Sequence, residues 1–120
     1  MPGEIVVAER DWYDYEAKYT PGGMELIVPP RLGDAVIERI KQLAVEVYKT
    51  VDCSGFARAD FFVEDGDRVF VNELNTIPGF TQTSGFPKMF EASGVPFPEL
   101  LDKLLQFGLE RYKEERRYRF

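Results

Sequence analysis

The chain has 120 residues, 44% of them hydrophobic, with 15 basic against 21 acidic side chains and a formal net charge of -6. This length supports one modest core, and an acidic chain without a basic run excludes nucleic acid as the main partner. Cys53 is the only cysteine and histidine is absent, which excludes an internal disulfide, Ser–His catalysis, His–metal chemistry and a base-activated thiol, and points to a reducing compartment.

Residues 4–8, EIVVA, form a short β-branched run that predicts a strand. Residues 9–23, ERDWYDYEAKYTPGG, predict a loop in which Trp12, Tyr13, Tyr15 and Tyr19 alternate with charges. Two readings of that loop stay open: a lid over a binding site, or a surface loop whose aromatics pack back onto the core. Lys18, flanked by aromatics, is a candidate to contact a phosphate or a carboxylate. Residues 24–28 predict a second strand, stopped by Pro29-Pro30. Residues 34–50 predict a helix with Val36, Ile40, Leu43 and Val47 on one stripe, joined by Ile37 and Ala44, and Asp34 at its start.

Residues 56–75, FARADFFVEDGDRVFVNELN, are two apolar runs around Asp65-Gly66 and predict a hairpin. With a two-residue turn, Asp60 would pair with Val71 and Arg58 with Glu73. Alternation then puts Arg58, Asp60, Glu73 and Asn75 on one face. The other face, with Ala57, Ala59, Phe61, Val63, Phe70 and Leu74, reads as core. Two carboxylates and an amide oxygen are hard donors, suited to Mg2+ or Mn2+ completed by waters and substrate phosphates. The alternative is a structural ion pair in which Arg58 neutralises Glu73.

Residues 76–87, TIPGFTQTSGFP, carry hydroxyls and an amide beside two glycines that permit close backbone approach. They are placed either to hold a second substrate beside the cluster or to serve as a plain crossover. A short helix over 86–93 ends at Gly94. A last helix runs from Pro96 to about Arg117, with Leu100, Leu101, Leu104, Leu105, Leu109 and Tyr112 as its expected buried stripe. Its basic end reads as solvation and complements the helix dipole. No apolar run approaches the ~18 residues that span a bilayer, and no signal-peptide core opens the chain. The expectation is a cytoplasmic α+β chain with no membrane partner, a mostly antiparallel sheet and helices packed on one side.

ARADFF followed by VNELNTIPGFT resembles the C-terminal part of the ATP-grasp domain of D-alanine–D-alanine ligases. YDYEAKY at 13–19 resembles the mobile loop of that family, and PFPELLDKLL its closing helix. The resemblance implies a reaction. ATP phosphorylates the carboxylate of one D-alanine, the amine of a second attacks the acyl phosphate, and the dipeptide enters peptidoglycan. It implies two Mg2+ or Mn2+ ions with ATP as co-substrate, held by Asp60, Glu73 and Asn75, with Glu73 bridging. Arg58 and the backbone N–H of Gly79 would stabilise the acyl phosphate and the oxyanion. Ser84 and Gly85 would hold the second substrate's carboxylate. Lys18 and Tyr13 would meet ATP, and Tyr19 would close the site in the manner of dipeptide-forming members.

The resemblance further implies that residues 1–120 are the C-terminal portion of an ATP-grasp domain. Residues 1–30 would form strand, mobile loop and strand. Residues 31–120 would form a helix, the metal-binding hairpin, the substrate loop and two helices. The parts that hold the rest of ATP and the first D-alanine have no counterpart, so this segment alone is expected to be inactive and its parent to be a homodimer. Two other readings stand beside this one: an ATP-grasp carboxylate–amine ligase with a different second substrate, and a non-catalytic, self-associating module that retains the metal cluster.

Overall fold

A computed structural model describes residues 1–7 and 24–117. Strand β1 (Glu4–Val7) pairs antiparallel with β2 (Met24–Ile27), Glu4 opposite Ile27 and Val7 opposite Met24. Helix α1 (Asp34–Thr50) leads into a hairpin of β3 (Arg58–Glu64) and β4 (Arg68–Asn75), followed by α2 (Gly85–Glu91) and α3 (Phe97–Arg117). The class is the expected α+β, and both strand pairings are antiparallel. Among the described residues the strands form two separate two-stranded sheets, β1-β2 and β3-β4.

Helix α1 forms where the stripe predicts it. Ile37 and Ile40 are buried on its inner face, which packs against the β3–β4 hairpin. Asp34 lies in its first turn and Lys49 in its last, each matching the helix dipole. Asp52, at a φ of 51°, turns the chain out of the helix. The β1–β2 pair rests on α2: a Cβ built on Gly3 would lie 2.8 Å from Leu26 and 3.3 Å from Met89. A clip closes the far end of that pair. Arg31 donates from its Nε and Nη2 to the two carboxylate oxygens of Glu4, at 3.0 and 2.6 Å, and its backbone N–H adds a third bond at 2.9 Å.

The hairpin register differs from the expected one in two places. Asp65 and Gly66 both adopt left-handed backbone, φ 54° and 83°, but Glu64 pairs with Arg68, so the connection has three residues. A shift then falls between Asp60 and Phe61, where Asn72 is an extra residue on β4. The two one-residue offsets act oppositely on which face each β4 residue takes. Between the turn and the bulge the faces are inverted, so Phe70 lies opposite Phe62 on the charged face, not in the core. Beyond the bulge the expected faces return, with pairing moved by two: Asp60 opposite Glu73 and Arg58 opposite Asn75.

A second correction concerns α3. Leu100 is buried, but Leu101, Leu105, Leu109 and Tyr112 are exposed, Leu105 at 68%. A 21-residue helix is about 31 Å long, and only its first turns meet α2 and the phenylalanines beside it. Its outer half is held by one cross-link among those described, a 2.8 Å bond from Arg111 to Ser54 Oγ.

Candidate active site

Four of the expected site residues come together at the open end of the hairpin. Arg58 lays its Nε and Nη2 on the two carboxylate oxygens of Asp60, both at 2.7 Å, and its Nη2 lies 3.7 Å from Glu73. A bidentate fork of this kind fixes the guanidinium plane as well as supplying charge. Asp60 and Glu73 face each other across the strands, and Asn75 sits two residues further along the same face. The Asn75 amide oxygen accepts the backbone N–H of Ile77 at 2.9 Å, an Asx turn that bends the chain out of β4 into the loop. That oxygen has two lone pairs, so the turn occupies one of them.

The cluster is partly open to solvent, with Asp60 at 27% and Glu73 at 57% side-chain exposure. Its donor chemistry fits a hard divalent cation, and Arg58 already provides a positive counter-charge at both carboxylates. Among the described residues no three Asp, Glu, Cys or His side chains gather into a ligand set. Two carboxylates and an amide would leave the other positions of an octahedral ion to water and phosphate.

The following loop is held by five phenylalanines. Phe80 lies 6.0, 5.9 and 5.5 Å, ring centre to ring centre, from Phe56, Phe86 and Phe97, and Phe86 continues to Phe90 at 5.0 Å. Phe86 is only 4% exposed. Tilted pairs at these separations are favourable beyond the area they bury. The cluster joins Phe56, two residues before β3, to the loop, α2 and α3, and so fixes Gly79 and Ser84 relative to the hairpin. Sequence reasoning missed it, because the phenylalanines follow no strand or helix period. Their density, eight phenylalanines between residues 56 and 97, five of them in this cluster, was the available signal.

Gly79 and Ser84 are neighbours: a Cβ at Gly79 would sit 3.2 Å from Ser84 Oγ. Gly85 opens α2 and faces Leu26 of β2, 3.7 Å from where its Cβ would be. Ser84 precedes α2 but makes no side-chain cap. Its Oγ instead accepts the backbone N–H of Thr81 at 3.0 Å. The structure thus gathers Arg58, Asp60, Glu73 and Asn75 on one face, and Gly79, Ser84 and Gly85 at the next turn of chain. Tyr13, Lys18 and Tyr19 lie outside the described residues.

A carboxylate pair with an amide and an arginine, beside a hydroxyl-rich loop, is a donor set chemically compatible with a divalent ion and phosphate. Comparisons with known proteins identify the family. A family model described as "D-ala D-ala ligase C-terminus" matches residues 1–106. A D-alanine–D-alanine ligase of Caldicellulosiruptor bescii is 47% identical over 120 residues, covering 99% of this chain and 33% of that protein. Two solved structures share the fold. One is a D-alanine–D-alanine ligase of Bacillus anthracis complexed with ATP, at 37% identity and TM-score 0.72, covering 92% of this chain and 36% of that one. The other is a D-Ala:D-Ser ligase of Enterococcus faecalis, at 38% identity and TM-score 0.74, covering 88% and 30%. The chain belongs to the D-alanine–D-alanine ligase family, through that family's C-terminal domain. It spans 33% of the length of the Caldicellulosiruptor bescii relative and 32% of a Coxiella burnetii one.

Proposed function

We propose that this chain supplies the C-terminal part of an ATP-grasp domain that joins two D-alanines at the expense of ATP, for cell-wall peptidoglycan. The observation that carries this reading is the Arg58–Asp60–Glu73–Asn75 face, met in register and followed directly by the loop bearing Gly79 and Ser84. The residues that would hold Mg2+ or Mn2+ are Asp60, Glu73 and Asn75. When bound, the ions supply neutralisation of phosphate charge.

The chain's own residues have separate tasks. Asp60 orients the Arg58 guanidinium, and Arg58 meets the negative charge that develops on oxygen at the reacting carbonyl. The backbone N–H of Gly79 serves the same oxygen. Ser84 and Gly85 hold the carboxylate of the second amino acid, so that its amine is presented to the acyl phosphate. Lys18 and Tyr13 meet ATP, and Tyr19 closes the site against water. The nucleotide-gripping and first-substrate parts come from polypeptide outside these 120 residues, in keeping with the third of the relatives' length that the chain spans. The parent is a cytoplasmic homodimer.

The similarity to a D-Ala:D-Ser ligase favours a second reading, the same chemistry with another second substrate. Initial rates of ADP release by the complete ligase, with D-alanine, D-serine and D-lactate as acceptors, decide between them. D-Alanine is expected to give the highest kcat/KM. Glu73→Gln is expected to lower that rate roughly 100-fold or more, the scale for removing one charge-stabilising group. The 120 residues alone are expected to release no ADP. A Glu73→Gln enzyme with normal turnover would remove Glu73 from the site, and a clear preference for D-serine or D-lactate would replace the dipeptide reading.

A further inference from the structure

Three hydroxyls in the substrate loop form a chain. Thr83 Oγ1 lies 3.1 Å from Thr81 Oγ1, which lies 2.9 Å from Ser84 Oγ. The backbone N–H of Thr81 also donates to Ser84 Oγ, at 3.0 Å. A hydroxyl has one hydrogen and two lone pairs. On Ser84 the Thr81 N–H fills one lone pair, so the remaining contact with Thr81 Oγ1 decides where the Ser84 hydrogen points. If Ser84 donates to Thr81, its hydrogen is spent inside the loop. If Thr83 donates to Thr81 and Thr81 donates to Ser84, both Ser84 lone pairs are filled and its hydrogen must point away from the triad.

A carboxylate can only accept hydrogen bonds. Its arrival at Ser84 therefore selects the second arrangement. Two further features keep Ser84 available for it. The side chain is not used to cap α2, although serine at that position usually is. Position 79, whose Cβ would press on Ser84 Oγ at 3.2 Å, is glycine, so that flank of the oxygen stays open.

We infer that Thr81, backed by Thr83, is a positioning residue that holds the Ser84 hydroxyl as an outward donor to the carboxylate of the second substrate. The inference rests on the assignment of Ser84 to that substrate. It adds a residue that acts through Ser84 and does not touch the ligand.

The test is steady-state kinetics of the complete ligase with ATP and D-alanine, resolving the KM of the second D-alanine site. Thr81→Val keeps the backbone N–H and the side-chain shape and removes only the hydroxyl. It is expected to raise the second-site KM about tenfold, the worth of one hydrogen bond to a charged group. The kcat and the KM for ATP are expected to stay within about twofold, since uniform binding is what is lost. Thr81→Ser is expected to restore the second-site KM. In a Ser84→Ala background, itself impaired, Thr81→Val is expected to add nothing, because the two act as one unit.

A raised KM in Ser84→Ala with a normal KM in Thr81→Val would overturn the inference and leave the Ser84 assignment standing. A normal KM in Ser84→Ala would overturn the Ser84 assignment itself. Additive effects in the double variant, or failure of Thr81→Ser to rescue, would make Thr81 a loop-folding residue and overturn the positioning role.

Discussion

At the residue scale, the clip between Glu4 and Arg31 makes a measurable claim. Side-chain hydrogen bonds from Arg31, and then its backbone N–H, lower the Glu4 carboxyl from 4.5 to about 2. A carboxyl depressed on folding stabilises the fold fully above its unfolded pKa, and that contribution is lost as pH falls towards the folded value. Thermal unfolding followed by circular dichroism should therefore show Glu4→Gln less stable than the parent at pH 6, with the difference shrinking below about pH 4.5 and lost as pH falls through about 2. A difference independent of pH would mean that the clip acts by packing alone. Single residues were unevenly legible. Arg58, Asp60, Glu73 and Asn75 stood out because charges are costly inside apolar strands unless something compensates them. Arg31 did not, and Thr81 was legible only as one of the hydroxyls of the substrate loop, because a loop arginine or threonine acquires its particular role only from a partner that the chain path brings to it.

At the element scale, alternation in the hairpin predicted the shared face of the four site residues, and the structure reaches the same face by another route. A three-residue connection moves the pairing by one, and the extra Asn72 moves it by one more. Neither offset is written in composition, since Asp-Gly suits both two- and three-residue turns. The intervening segment kept the inverted faces, which is why Phe70 joined Phe62 and not Phe61. Helix α1 was legible to its ends because its stripe is buried on one side. The α3 stripe misled because an apolar period reports a face that requires cover, and the described residues cover only Leu100 fully.

The phenylalanine cluster is the element-scale device that holds the substrate loop. Truncating a packed phenylalanine costs about 3–5 kcal/mol when it is fully buried. Phe80 is half-buried, so Phe80→Ala should cost about 2–3 kcal/mol in urea unfolding. Phe62→Ala, on the exposed face, should cost less than about 1 kcal/mol. Equal losses at the two positions would contradict the claim that Phe80 anchors the loop.

At the scale of the whole molecule, the described residues are extended, 57 Å by 30 Å by 27 Å, and the buried apolar side chains are few: Ile37, Ile40, Phe86 and Leu100, with Pro30, Pro78 and Pro87. The residues that would grip phosphate and metal face outward at the open end of the hairpin, beside the loop that would hold the second substrate. No helix among the described residues is long and apolar enough to cross a membrane. This arrangement suits a segment that contributes one wall of a cleft, in a chain spanning 33% of a curated relative's length.

Under the proposed function, this face would bind a divalent ion together with nucleotide. Mn2+ titrated into the complete ligase with ATP, with unbound ion followed by electron paramagnetic resonance, tests it without any need for turnover. The account predicts that the Asp60→Asn, Glu73→Gln double variant loses Mn2+–ATP affinity by at least about tenfold, the lower end for disturbing a metal's supporting ligands. Retention of the parent's Mn2+–ATP affinity by a folded double variant would contradict it.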